Sequence, residues 1–292
     1  RQASFFIKVV ILFNSIYKYV KGSLYMHPML NIGIRAARNA GKVIVRAIEQ
    51  LDKVEVQAKG TNDFVTSADL SAEEAIIETL KKSYPDHTIV GEECGVIKGK
   101  DDDFQWIIDP INGTTNFIKG IPHFSVSIAL KVKGKLDQAI IFDPSRGELF
   151  TASRGKGAQL NGFRIRVKQH KELSGAIVAT GFPYKHKQHS NAYLEMFKTL
   201  FTKSSDLRSS GSPALDLAYV AAGRVDGYFQ IGLKPWESAA GELLIIEAGG
   251  LVTDFVGDHN HTVSGNTVAA CPRLLKTILK DIRPHLGEAL NK

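Results

Sequence analysis

Three acidic clusters hold the residues best suited to chemistry in this chain. The first is Gly91-Glu92-Glu93-Cys94-Gly95, directly after the strand-like run His87–Val90. The second runs Trp106-Ile107-Ile108-Asp109-Pro110-Ile111-Asn112-Gly113-Thr114-Thr115-Asn116-Phe117. Its apolar start predicts a strand that delivers Asp109 at its C-terminal end. Pro110 is expected to break the ladder, and Gly113-Thr114-Thr115 to open a helix. The third, Pro235-Trp236-Glu237-Ser238-Ala239-Ala240-Gly241, places Glu237 at the beginning of another helix. Backbone N–H groups at a helix start form a phosphate site. Carboxylates from separate elements beside such a site suit Mg²⁺, a hard cation that takes oxygen ligands. Singly, each fragment is commonplace: a Glu-Glu pair is usually a solvated turn and Gly-Thr-Thr an ordinary cap. Their combination in this order is far more specific.

The elements that must position these clusters follow from periodicity. Ile34, Ala37, Ile44, Ala47, Ile48 and Leu51 recur at helical spacing across 30–51. A second helix is expected from Ser71, where Ser71 and Glu74 form a capping-box pattern, to about Tyr84, with Pro85 stopping it. Strand-type runs lie at Thr88–Val90, Trp106–Ile108, Val126–Leu130, Ala139–Phe142 and Ala176–Ala179, with Gly134 and Gly147 as turns. Helical patterns return at Ala214–Ala222, Ser238–Ala248 and Arg273–Ile282. There is no internal repeat and no long polar linker, so the pattern predicts a mixed α/β or α+β chain of sheets covered by helices.

Composition bounds the class. The 292 residues are 43% hydrophobic and 23% charged, with 26 Gly, 10 Pro and a mean hydropathy of -0.08, which excludes disordered, collagenous and disulfide-rich chains. Cys94 and Cys271 form neither a disulfide framework nor a metal-ligand spacing, so a reducing cytoplasm is expected. Arg1, Lys8, Lys18 and Lys21 give residues 1–25 +4 of the total +7, leaving +3 from Met26 onward. The apolar run 5–13 is interrupted by Lys8 and is far shorter than the ~20 residues a membrane span needs. We expect 1–25 to be translated upstream sequence and one domain over 26–292, with a peripheral anchor as the alternative and no membrane partner.

The stretches Gly91–Gly95, Trp106–Phe117 and Trp236–Gly250 resemble the three signature regions of the inositol monophosphatase family, most closely its bacterial SuhB-type branch. The likeness extends from Met26-His27-Pro28-Met29 nearly to the C-terminus, through Lys59–Thr66, Gly155–Gly162 and Asp216–Gly227. It implies a layered α-β-α-β-α sandwich of the α+β class, a homodimer, and Mg²⁺-dependent, Li⁺-inhibited hydrolysis of small phosphomonoesters such as inositol 1-phosphate. Carried over by position, Glu92, Asp109 and the Ile111 carbonyl would hold an activating Mg²⁺. A second Mg²⁺ would share Asp109 and use Asn112 and Glu237. Thr114, linked to Asp69, would orient the attacking water alongside Glu92. The Gly113 and Thr114 amides would hold phosphate oxygens, and the alcohol half would lie near Gly211, Ser212 and Gln230.

The departures from the family pattern cluster around the second metal and the alcohol pocket. Asn112 stands where the family has Asp, Glu237 where it has Asp, Gln230 where it has Glu, and Pro213 where it has Ala. Asn112 can still offer an oxygen but has lost a negative charge, and Glu237 is one methylene longer. Mg²⁺ demands near-ideal octahedral geometry, and changes around metal sites cost about 10–100-fold in affinity or activity. One expectation is therefore a weakened, Mg²⁺-hungry or inactive phosphatase; the other is ordinary activity with Glu237 compensating. Cys94 replaces a common Ser, most simply as a near-isostere. The resemblance also implies a second class of function: bacterial members of this branch take part in transcription antitermination of ribosomal RNA operons with Nus factors and RNA polymerase. That is a binding role that need not use the carboxylates. The family's Arg-Arg pair before the Gly211 loop is here Arg208-Ser209.

Overall fold

The computed structural model describes residues 27–60 and 63–290, so the expectations for 1–25 lie outside the described residues. Helix α1 (Pro28–Ile48) begins with proline at its first position, and the His27 side chain accepts from the Met29 N–H. Leu30, Ile34, Ala37, Gly41 and Ile44 form its buried stripe. After the hairpin of β1 (Val56–Gly60) and β2 (Asp63–Thr66), helix α2 spans Ser67–Ser83. It starts four residues before the expected Ser71. The cap is Thr66, whose Oγ1 accepts from the N–H groups of Ala68 and Asp69 while the Asp69 carboxylate accepts from the Thr66 N–H. Ser71 and Glu74 are exposed on the first turns. The helix starts where β2 ends, and Asp at the third position closes the box as Glu would elsewhere.

The large sheet contains β3 (His87–Gly91), β4 (Gly95–Ile97), β5 (Asp101–Asn112), then, after the short α3 (Thr114–Ile118), β6 (Ser125–Val132), β7 (Lys135–Asp143), β8 (Glu148–Ser153), β9 (Gly157–Leu160) and β10 (Phe163–Arg164). Its order is β10-β9-β8-β7-β6-β5-β3-β4, parallel only between β3 and β5. Side-chain alternation divides its two faces. Trp106, Ile108, Ile128, Leu130 and Ile140 join one core with α1 and α2; Ile107, Ala129, Ala139 and Ile141 join the other. Gly33 and Gly41 bring α1 against β7, since a Cβ at either would come within 2.6 Å of Ile140 Cδ1 or 2.5 Å of Phe142 Cε1. Pro110 breaks the ladder as expected but does not end β5. The strand runs on to Asn112, and the pairing with β6 loses register between Asp109 and Asn112. That irregularity absorbs the proline and turns the end of the strand.

The second sheet holds β11 (Ile177–Thr180), β12 (Asp206–Arg208), β13 (Gly227–Gln230), β14 (Leu251–Thr253) and β15 (Thr267–Ala270), in the order β12-β11-β13-β15-β14. Helices α5 (Pro213–Ala221) and α6 (Pro235–Glu247) fill the layer between the sheets. On the far side pack α4 (Ser190–Phe201), which the periodicity did not reveal, and α8 (Pro272–Ile282); a single turn, α7 (His261–Ser264), precedes β15. The architecture is the α-β-α-β-α sandwich. Among the described residues no helix is long and apolar enough to cross a membrane.

Candidate active site

The three acidic clusters meet where the carboxyl ends of β3 and β5 face the N-termini of α5 and α6. A cavity of about 130 Å³ there is lined by Glu92, Asp109, Ile111, Asn112, Gly113, Thr114, Gly211 and Glu237, together with Asp63, Pro213 and Lys185. It borders a larger cavity of about 380 Å³ to which Ser212, Gln230, Asp216, Phe182, Tyr184 and Lys185 contribute. Asp69 lies beneath, in contact through Thr114. Asp63 and Lys185, ion-paired at 2.8 Å, were not expected. Lys185 sits in the loop after β11, which carries no motif; its one signal is a place beyond the carboxyl end of a parallel strand, where ligands of α/β sheets gather.

Asp109 is buried to 1% exposure, and its Oδ1 has no hydrogen-bond partner. Its Oδ2 accepts from Asn112 Nδ2 at 2.8 Å. Burial, with the Glu92 charge nearby, holds the Asp109 carboxyl well above the ordinary carboxylate range, against the Asn112 hydrogen bond. Burial also raises Glu92, opposed by Lys59, whose Nζ lies 3.2 Å from Glu92 and 2.6 Å from Glu93. For Lys59, burial favours proton loss, but pairing with the two glutamates prevails and raises its pKa. An uncompensated buried carboxylate oxygen costs several kcal/mol, which a dication would relieve.

The donor set for a first Mg²⁺ therefore fits: Asp109 Oδ1, Glu92 and the Ile111 carbonyl. No three His, Cys, Asp or Glu side chains converge as a metal cage among the described residues. Two carboxylates and a carbonyl nonetheless match an ion that keeps several waters. The second expected set, Asp109, Asn112 and Glu237, does not fit. Asn112 Oδ1 already accepts from Ser212 Oγ at 2.7 Å and Ala214 N–H at 2.9 Å, so its NH₂ faces Asp109. Glu237 Oε2 accepts from the Lys234 N–H at 2.7 Å, closing the start of α6. The expectation that Asn112 would offer its oxygen to a metal is thus corrected by two local donors that claim it first. Ser212 is fully buried with its hydroxyl spent on Asn112, and Gln230 Oε1 accepts the Tyr228 hydroxyl.

Thr114 Oγ1 lies 3.3 Å from Asp69 Oδ1 and 3.1 Å from the Ile111 carbonyl, so its one proton can go to either acceptor. Burial pushes Asp69 up to about 6, opposed by the Thr66 hydrogen bonds. Gly113 has φ 105°, and a Cβ there would lie 3.1 Å from the Gly211 carbonyl and 3.2 Å from that of His123. A side chain at 113 would thus be strained and would fill the floor of the cleft.

Burial also pushes Glu237 up to about 7 and Asp216 up to about 8. These acids hold protons in the folded state that the unfolded chain releases near pH 4. Between pH 4 and its folded value, each makes stability fall as pH rises. Burial lowers His87, His123 and His186, which act in the opposite sense, but only below about pH 6.5. The melting temperature in EDTA is therefore expected to drop from pH 6.5 to 8, and Mg²⁺ to flatten the decline. Differential scanning calorimetry in both media reads this; a level EDTA profile would refute the buried-carboxylate account.

Comparison with known proteins agrees with this geometry. The pattern of the inositol monophosphatase family matches residues 25–286. The chain is 56% identical to Nus factor SuhB of Escherichia coli K12 over 267 residues, which are 91% of this chain and all of that protein. Among solved structures it is similar to extragenic suppressor protein suhB from Bartonella henselae, with TM-score 0.87 and 38% identity over 89% of this chain and all of that one. It is also similar to an inositol monophosphatase from Anabaena (Nostoc) sp. PCC 7120, with TM-score 0.78 and 34% identity over 88% and 95%. With the signature carboxylates gathered at one cleft and the match spanning nearly the whole chain, this protein belongs to the inositol monophosphatase family.

Proposed function

We propose that the chain is a cytoplasmic Mg²⁺-dependent phosphomonoesterase acting on inositol 1-phosphate or a related small phosphomonoester. The observation that carries this reading is the buried Asp109, its Oδ1 without a partner, beside Glu92 and the Ile111 carbonyl at the floor of a cleft. A Mg²⁺ held there would polarise a phosphoryl oxygen and ease loss of a proton from water. The chain's own groups do the rest. Thr114, donating to ionised Asp69, turns an oxygen lone pair outward to accept from the attacking water and so aligns it. The Gly113 and Thr114 N–H groups hold phosphate oxygens in place, and the larger cavity admits the alcohol half. Phosphate release from inositol 1-phosphate across a Mg²⁺ titration tests this. The native chain is expected to turn over, and the Asn112→Asp/Glu237→Asp double variant to reach the same rate at about 10-fold or more lower Mg²⁺. Equal Mg²⁺ requirements would remove the idea of a weakened site; no turnover in either would remove the phosphatase reading.

A second reading has its own support in the full-length similarity to proteins named Nus factor SuhB. On that reading the chain, as a homodimer or alone, contributes to antitermination by binding Nus factors or RNA polymerase. Co-purification with Nus factors in the absence of turnover would favour it.

A further inference from the structure

We propose that the Asn112 carboxamide stands in for a second cation, so that this centre takes one divalent ion where an Asp at the same position would take two. The inference rests on the reading of Asp109 as an ion ligand given above. Its physical basis is the direction of the amide. A backbone N–H can only donate, so the atom facing the Ala214 N–H at 2.9 Å is oxygen, and the Ser212 hydroxyl at 2.7 Å reaches the same atom. This places the NH₂ group 2.8 Å from Asp109 Oδ2. Both lone pairs of Asn112 Oδ1 are engaged, and an amide nitrogen that donates to a carboxylate cannot ligate a cation. The amide therefore gives Asp109 Oδ2 the partial positive charge that an ion between the two side chains would have supplied. Glu237 Oε2 accepts from the Lys234 N–H, so Oε1 is the oxygen it has left to offer, one ligand without the Asn112 oxygen that would complete the second set. Asp109 Oδ1 remains free for the first ion.

With Asp at 112 the same two donors would hold one oxygen, and the other would lie against Asp109 Oδ2 at hydrogen-bond distance. Two anionic oxygens so close need a proton or a cation between them. Asn112→Asp should therefore add a cation site rather than merely tighten an existing one.

The test counts Mn²⁺ bound to the full chain by electron paramagnetic resonance and isothermal titration, with folding checked by circular dichroism. The native chain is expected to bind one ion, Asn112→Asp two, and Asn112→Ala one, since alanine removes the amide without providing a ligand. A second ion on the native chain, no added ion on Asn112→Asp, or an added ion on Asn112→Ala would each overturn the proposal. Should Asn112→Asp not fold even with Mn²⁺, the native count decides: two ions overturn the proposal and one supports it. A native chain that binds none overturns the proposal together with the reading of Asp109 as an ion ligand on which it rests, and phosphate release reports on the phosphatase reading separately.

Discussion

Asp69→Asn is expected to lower kcat for phosphate release by about 10²–10⁴-fold, the usual range for loss of a group that directs proton movement, while KM changes little. Asp69 has two tasks on two oxygens. Oδ2 accepts from the Thr66 N–H and hydroxyl and so closes the start of α2. Oδ1 faces the Thr114 hydroxyl. An asparagine keeps its carbonyl oxygen toward the two Thr66 donors, because its NH₂ there would meet the Thr66 N–H head-on. The helix cap survives, and the NH₂ is left facing Thr114. The hydroxyl of Thr114 must then donate to the Ile111 carbonyl alone and accept from the amide, which leaves it one lone pair instead of two. It also loses the anionic acceptor that made its oxygen a good partner for the attacking water. Because burial pushes Asp69 up to about 6, the native rate should fall as pH drops through that value, and the variant should lose this acid limb. Steady-state kinetics from pH 5 to 8, with melts to confirm the fold, measure both effects. A variant within a few-fold of native, with the acid limb intact, would remove Asp69 and Thr114 from the mechanism.

The acidic clusters were legible in the sequence because each sits at a junction with strong local signals. Asp109 follows an apolar run, Gly113 opens a helix that only glycine can begin at φ 105°, and Glu237 follows Pro235 at the first turn of α6. Glu92 lies one residue beyond β3 for the same reason. Gly211, Ser212 and Gln230 were reachable only by resemblance, since nothing in their local pattern ties them to Asp109. Lys185 and Asp63 were missed because their pairing joins the loop after β11 to the start of β2, far apart in sequence. The direction of the Asn112 amide could not be read at all. It depends on Ala214, which is 102 residues away and brought alongside only when α5 docks between the sheets. The misplaced start of α2 has a different cause: two capping-box patterns, Thr66–Asp69 and Ser71–Glu74, follow one another closely, and the strand boundary at Thr66 selects the first.

The strand that delivers Asp109 and Asn112 depends on Trp106, and Trp106→Ala is expected to cost about 3–5 kcal/mol of stability. Trp106 is fully buried between α1 and the large sheet, with its ring edge against Gly33, where a side chain would crowd it. Its indole N–H donates to His87 Nδ1 at 3.1 Å. His87 itself is stacked between Tyr84, at 4.6 Å and 7°, and Phe104, at 4.5 Å and 6°. Burial lowers the His87 pKa, so the ring is neutral near pH 7 with Nδ1 free to accept. Trp106→Phe separates the two contributions. It keeps most of the apolar contact but strands Nδ1, at a cost of about 1–3 kcal/mol. A depressed histidine pKa makes native stability fall as pH drops below about 6.5, because the unfolded chain then binds the proton first. With phenylalanine at 106 no donor opposes a proton on Nδ1, so this acid sensitivity should shrink. Urea unfolding of the three proteins at pH 5.5 and 7.5 reads both effects. An alanine variant within 1 kcal/mol of native would mean that the first core does not hold β5, and that the position of Asp109 is set from the other face of the sheet.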